Sequence, residues 1–236
     1  MTTEVPSSPA AAPSALIPLK GLRGSIARNV TAGWQAPRVA QAVEVDMTRS
    51  LALQARLQAR LGSATRITIT HVVLRAVALT LRAHPALNAC LREGGIERMP
   101  GINLGLAVSL PDGLAVPVIR DADMKSIEQL ADASRELAAG ARASALPPKA
   151  FQGGTFTVTN LGMTGIDWFT PILNPPQVGI LGLSRIAEQA VVRKGQIVAA
   201  PMSTLTLVFD HRAVDGYPAA LFLADIRRRL ESCEGL

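Results

Sequence analysis

The groups in this 236-residue chain that could do chemistry near neutral pH are few: three histidines, two cysteines and a scatter of carboxylates. One histidine stands out by its setting. His211 lies in Asp210-His211-Arg212-Ala213-Val214-Asp215-Gly216, directly after the alternating run Thr204-Leu205-Thr206-Leu207-Val208-Phe209. Such alternation of β-branched and apolar residues predicts a strand. Beyond Gly216 the pattern switches to a helical period, with Leu221, Phe222, Ile226 and Leu230 on one face. An imidazole held at the end of a buried strand, before a tight turn at Asp215-Gly216, is well placed as a general base, since its unperturbed pKa of about 6.5 suits proton transfer at neutral pH. On spacing alone the same residues also read as a core histidine before an Asp-Gly turn. His71 and His84 enter and leave a strongly apolar helical stretch ended by Pro85, and both are read as structural. Cys90 and Cys233 are far apart and in no metal-like spacing, so they are expected to be reduced thiols, and no metal site is predicted.

The elements around His211 follow from periodicity and punctuation. Leu19 to Trp34 reads as an imperfect amphipathic helix and Arg38 to Asp46 as a strand. Thr48 looks like the N-cap of a helix running to about Leu61. Arg66 to Thr70 is extended, and a buried helix spans His71 to His84. Two strands, Ile102 to Ser109 and Leu114 to Ile119, flank a Pro111-Asp112-Gly113 turn. An Ala-rich helix runs from Ile127 to about Ala143, ending before Pro147-Pro148. Gly153 to Ile186 holds a strand, a glycine-punctuated loop and a second buried strand; Gly153-Gly154 is too sparse for a phosphate-cradling loop. Val191 to Val198 is a hairpin turning at Lys194-Gly195.

Composition narrows the class. Hydrophobic residues make up 48% of the chain, enough for a sizeable core. No apolar run reaches 18 positions, so no transmembrane helix is expected. The N-terminus has neither a basic, apolar leader nor the arginines of a transit peptide, and a cytoplasmic location is expected. Residues 1–15, rich in Pro, Ala and Ser, are expected to be disordered, leaving 16–236 as one domain. The net charge of +6 raises the possibility of nucleic acid, but two Trp, one Tyr and five Phe give no stacking platform. Arg227-Arg228-Arg229 is most simply a solvated helix face. A mild basic excess also suits a phosphorylated small molecule.

Three stretches carry a resemblance to a known family: DHRAVDG near the C-terminus, INLGLAVSLPDGLAVPVIRDAD, and GGTFTVTNLGMTGIDWFTPILNPPQVGILGLSRI. Together they resemble the acyltransferase (E2) core of 2-oxoacid dehydrogenase complexes, and the likeness runs from about Pro18 to Leu230. Chloramphenicol acetyltransferase shares that fold, but its signature begins with two histidines. Here Asp210 precedes His211, which favours the dehydrogenase-complex family. The resemblance implies an α/β fold, a two-layer mixed sheet packed with helices. It implies transfer of an acyl group between coenzyme A and a dihydrolipoyl thiol by direct attack in a ternary complex. His211 would be the base and Thr159, in the family's Ser/Thr position, would donate to the oxyanion. Asp215 would be structural, paired with Arg23 of the opening helix. The coenzyme A channel would involve Thr68, Asn160, Ser184 and Ile186. Gln54, where an Arg is common, and Ser109, where an acid can occur, depart from the pattern and leave the acyl group open.

The resemblance also implies a homotrimer, with His211 facing Thr159 of a neighbouring subunit. No lipoyl or peripheral-subunit-binding domain is visible in this sequence, so the lipoyl group would be supplied in trans, by a lipoyl-domain protein, with E1 and E3 subunits as possible further partners. Neither nucleic acid nor membrane is expected as a partner. Larger shells in this family are joined by an apolar C-terminal segment. Glu231-Ser232-Cys233-Glu234-Gly235-Leu236 offers one leucine, worth about 1.5–3 kcal/mol on burial, so an isolated trimer is expected. Two other readings stand beside the acyltransferase core: an acetyltransferase for a small free acceptor, and a non-catalytic scaffold.

Overall fold

The computed structural model describes residue 16 and residues 18–236, apart from 63, 64 and 112. The expectation of disorder for 1–15, and Asp112 of the predicted turn, lie outside the described residues. Five α-helices are described: α1 (Gly21–Trp34), α2 (Thr48–Leu61), α3 (Ile69–Ala83), α4 (Ile127–Arg142) and α5 (Gly216–Ser232). The strands are β1 (Arg38–Asp46), β2 (Ala89–Arg92), β3 (Gly95–Arg98), β4 (Leu104–Leu106), β5 (Val108–Leu110), β6 (Gly113–Ala115), β7 (Val118–Ile119), β8 (Phe156–Asn160), β9 (Gly179–Leu183), β10 (Ala187–Arg193) and β11 (Gln196–Asp210).

The main sheet is mixed, in the order β1-β11-β9-β8-β4-β7, with β10 folded back on β11. β11 is antiparallel to β1 and β9, whereas β9, β8 and β4 run parallel. Alternation divides the sheet into two faces. Leu205, Leu207 and Phe209 of β11, Leu181 and Leu183 of β9, and Phe156 and Val158 of β8 join the main core with the helices. Phe222 of α5 sits in that core, fully buried, with its ring 5.6 Å from Phe156 and 5.7 Å from His84. The opposite face carries small and polar residues at the centre. A satellite cluster of Ala36, Leu173, Ile180 and Val208 covers part of it. The sheet with its helical layer is the α/β architecture expected from the sequence.

Several local expectations change. Thr48 is the first helical residue of α2 and not its cap. Asp46 takes the capping part, accepting from the Thr48 backbone N–H at 3.0 Å and from its hydroxyl at 2.6 Å. The predicted hairpin around Gly113 is split. β4 and β7 pair in the main sheet, while β5 and β6 form a separate two-stranded ribbon. The ladder shifts where Leu106 N–H bonds Pro117 O and Ala107 N–H bonds Val158 O. A second ribbon, β2–β3, was not foreseen; Gly94-Gly95 between two short runs was its signal, and Gly94 takes a φ of 88° there. The turn at Lys194-Gly195 is as predicted, with φ of 51° and 78°, the left-handed pair that matches strand twist.

Candidate active site

β11 delivers His211. The strand ends at Asp210, which is only 4% exposed. Its carboxylate accepts the Arg212 backbone N–H at 3.0 Å and a two-pronged guanidinium grip, Nε at 3.0 Å and Nη2 at 2.6 Å. Its carbonyl accepts from Ala213 and Val214. The tight turn is therefore Asp210 to Val214, not Asp215-Gly216 as expected; Asp215 instead precedes α5 as its N-cap residue, without a side-chain cap bond. The turn forms there because the buried Asp210 offers acceptors to the residues that follow it. The Asp210–Arg212 fork holds His211 between its two ends, a role that sequence reasoning missed although an Asp two residues before an Arg was its signal. The fork raises the Arg212 pKa above its ordinary value, chiefly through the hydrogen bond to Asp210.

Two further contacts fix His211, and a third holds the chain that follows it. Its backbone N–H bonds Pro37 O at 3.0 Å, just before β1. Its ring lies 5.8 Å from that of Phe209. Gln41 of β1 donates to Gly216 O at 2.9 Å and pins the start of α5. The imidazole keeps 45% of its side chain open. Its Nδ1 stands 3.8 Å from the Asp215 carboxylate, beyond hydrogen-bond reach, and Asp215 is 84% exposed.

The Arg23–Asp215 pair expected from the resemblance does not form within a chain; His211 is the ion-pair neighbour of Asp215 among the described residues. Geometry explains this. The segment after α1 touches His211 through Pro37, but Arg23 lies eleven residues back from Trp34, roughly 16 Å along the helix.

Thr159 sits near the C-terminal end of β8, on the face opposite the main core, half-buried. It pairs with Gly182 of β9, and Gly182 pairs with Thr206 of β11. Two inter-strand steps of about 4.8 Å, and five residues at about 3.3 Å from Thr206 to His211, separate the two groups by roughly 19 Å. Because β11 runs against β8 and β9, His211 and Thr159 lie at opposite ends of the sheet.

Around the Thr159 end the structure gathers the other predicted residues. Asn160 donates to Thr70 Oγ1 at 2.8 Å and accepts from Gly162 N–H at 2.7 Å. Thr68 precedes α3, and its backbone N–H donates to His71 Nδ1 at 3.1 Å. Burial lowers the His71 pKa to about 4, outweighing the pull of Asp132, so the ring is a neutral acceptor. Ser184 is buried with its hydroxyl unpartnered, and Ile186 packs partly against the core. Gln54 donates to Ile67 O at 3.0 Å and supports the backbone leading to Thr68. Ser109 is exposed on the β5–β6 ribbon.

Neither cysteine is arranged as a nucleophile. Both are free, and burial pushes both thiols above their ordinary pKa. Among the described residues no cluster of His, Cys, Asp and Glu could hold a metal ion. None of the described helices is long and apolar enough to cross a membrane.

The arrangement thus offers an open imidazole at one end of the sheet and a hydroxyl, beside polar side chains, at the other. Residues 11–236 match the family model for 2-oxoacid dehydrogenases acyltransferase (catalytic domain). The chain is 41% identical over 220 residues to the dihydrolipoyllysine-residue acetyltransferase component of the acetoin cleaving system of Bacillus subtilis, covering 91% of this chain and 55% of that one. The chain spans about half the length of the curated relatives it matches. Dihydrolipoamide acetyltransferase of Azotobacter vinelandii superposes with a TM-score of 0.90 at 33% identity, covering 98% of each chain. The cubic core of a pyruvate dehydrogenase multienzyme complex matches equally, at 0.90 and 33% over 98% of each chain. Chloramphenicol acetyltransferase, at a TM-score of 0.51 and 16% identity over 92% of this chain and 99% of that one, shares the fold. The Azotobacter structure concerns the role of a serine, a histidine and an asparagine in catalysis, spaced 52 and 4 residues apart. The same intervals separate Thr159, His211 and Asp215.

Proposed function

Because the chain belongs to the 2-oxoacid dehydrogenase acyltransferase family, as its catalytic domain, we propose that it moves an acyl group between coenzyme A and a dihydrolipoyl thiol, with His211 as base and Thr159 as oxyanion donor. The observation that carries this reading is the placement of the two groups. Each is accessible, their spacing matches that of the enzyme just described, and roughly 19 Å separates them within one chain. A working site therefore takes His211 from one chain and Thr159 from another, in a homotrimer of three such sites. Solved relatives that assemble into a cubic core agree with association of this kind.

The chemistry needs no group beyond these. Nε2 of a neutral His211 accepts the proton of the attacking thiol as its sulfur adds to the thioester carbonyl. The carbonyl π-pair becomes an oxyanion, to which the Thr159 hydroxyl of the adjoining chain donates. Collapse re-forms the carbonyl, expels the second sulfur, and returns the proton from His211 to it. Coenzyme A would lie along Thr68, Asn160, Ser184 and Ile186. The dihydrolipoyl group comes from outside residues 16–236 and meets His211 from the other side. Asp215 acts by position beside the base; Arg23 would reach it only across a subunit boundary. E1 and E3 subunits and a cytoplasmic location belong to the same reading.

The deciding experiment pairs acetyl-, succinyl- and isobutyryl-CoA with dihydrolipoamide, a lipoyl domain and chloramphenicol. Transfer to the dihydrolipoyl acceptors is expected. Transfer to chloramphenicol alone would make this an enzyme for small free acceptors, and no transfer at all would leave a scaffold.

A further inference from the structure

Thr159 stands on a face of β8 flanked by two glycines, with Ile180 of β9 opposite Thr157. Its cross-strand neighbour on β9 is Gly182, and two residues earlier Thr157 faces Gly105 on β4. Added Cβ atoms at these glycines would meet the Phe169 ring at 2.8 Å and Thr157 Oγ1 at 2.7 Å, so the face is tight but offers no cross-strand grip at those pairs. Besides that packing, a run of hydrogen bonds ties this face to α1. Asn29 of α1 donates to Asn174 Oδ1 at 2.8 Å. Asn174 Nδ2 donates to Thr157 Oγ1 at 3.5 Å, and the Thr157 hydroxyl donates to Gln177 Oε1 at 2.6 Å. Thr157 and Gln177 are both buried.

The run reaches both halves of the proposed chemistry. Thr157 and Thr159 share one strand and one face. At the other end α1 lies against the same loop, its Gly33 so close that a Cβ would fall 2.1 Å from Leu173 O. α1 then leads into Pro37, whose carbonyl holds the His211 backbone. We propose that the Asn29–Asn174–Thr157–Gln177 chain of hydrogen bonds is a positioning device for acyl transfer, setting the Thr159 hydroxyl by fixing β8 against α1. Thr157 is thus a positioning residue that acts through Thr159. This rests on Thr159 being the oxyanion donor, as read above.

The test is steady-state acetyl transfer from acetyl-CoA to dihydrolipoamide by the full chain, at a temperature where circular dichroism shows each variant folded. Thr157→Val keeps shape and removes the donor to Gln177. It is expected to lower kcat by about 10-fold with both KM values within about twofold, since small misplacement of a catalytic group costs rate rather than binding. Thr157→Ser keeps the hydroxyl and should recover most of the rate. In a Thr159→Val background, Thr157→Val should cost less than about twofold, because the group it positions is gone. A Thr157→Val enzyme at wild-type kcat, beside a Thr159→Val enzyme that is strongly impaired, overturns the positioning role alone. The same 10-fold loss added on top of Thr159→Val overturns it too. A fully active Thr159→Val enzyme overturns the oxyanion assignment first. If Thr157→Val does not fold, Asn29→Ala reads the chain from its exposed end. A roughly threefold lower kcat with unchanged KM supports the role, and an unchanged kcat refutes it.

Discussion

Two inactive chains should make an active enzyme. One carries His211→Ala and the other Thr159→Val. The structure sets the expectation, because His211 and Thr159 lie at opposite ends of one sheet, roughly 19 Å apart from strand spacing. No hydroxyl donor can span that distance to a carbonyl attacked beside the imidazole, since hydrogen bonds close at about 3 Å. Each chain alone should fall by about 100-fold or more, through loss of the base or of the oxyanion donor. In randomly mixed trimers a site is intact when its histidine comes from the Thr159→Val chain and its threonine from the His211→Ala chain. Each choice has probability one half, so about a quarter of sites should work, provided that a ring-symmetric trimer gives each site one partner for each group. The assay is co-expression with two different tags, tandem purification of particles carrying both, and acetyl transfer measured against a wild-type trimer. Selecting mixed trimers raises the fraction to about a third, because the all-alike trimers are removed. Activity of both single variants and of the mixture at or below about 1% of wild type would refute the shared site.

The remaining expectations are more local. His211→Ala should lose about 100- to 10,000-fold in turnover while acyl-CoA still binds by calorimetry, and a loss below threefold removes it as the base. Asp210→Asn should lower stability in urea by about 2 kcal/mol, since it weakens a charge-assisted grip on a buried carboxylate, and unchanged unfolding would dismiss the fork. Arg23→Met and Asp215→Asn should be additive in the same measurement if they do not meet; a clear coupling would place the pair across a subunit boundary. His71 is neutral in the fold with its pKa lowered from 6.5 to about 4. Its contribution is therefore fully present above pH 6.5 and is lost as pH falls through that window, where the unfolded chain binds the extra proton. His71→Gln should flatten the acid side of the stability curve, and an identical slope would show that another group titrates there.

Much of this protein could be read from local pattern. The strand at Arg38 to Asp46 alternates in burial as its pattern predicts, and Phe222, Ile226 and Leu230 after Gly216 are buried as their helical period predicts, because such periods need only neighbouring residues. Leu221, read on the same face, is exposed, and Thr204 to Phe209 is a strand that packing buries on both faces from Leu205 onward. The same holds for His71 and His84, whose apolar surroundings marked them as structural. With the family likeness added, DHRAVDG and FTVT pointed to His211 and Thr159. Strand order and direction depend on contacts between residues far apart in the chain, which no local period encodes. Hence the split of the Gly113 hairpin into two sheets came from packing, whereas the capping of Thr48 by Asp46 is a local contact between residues two apart that the sequence reading missed. Packing also sent Arg23 away from Asp215, because the C-terminal end of α1, at Gly33 and just before Pro37, is the part that lies against Leu173 and leads to His211, while Arg23 sits near the opposite end of the helix. The largest decision was made by the antiparallel entry of β11 beside β9. It put His211 and Thr159 of one chain at opposite ends of the same sheet, beyond each other's reach.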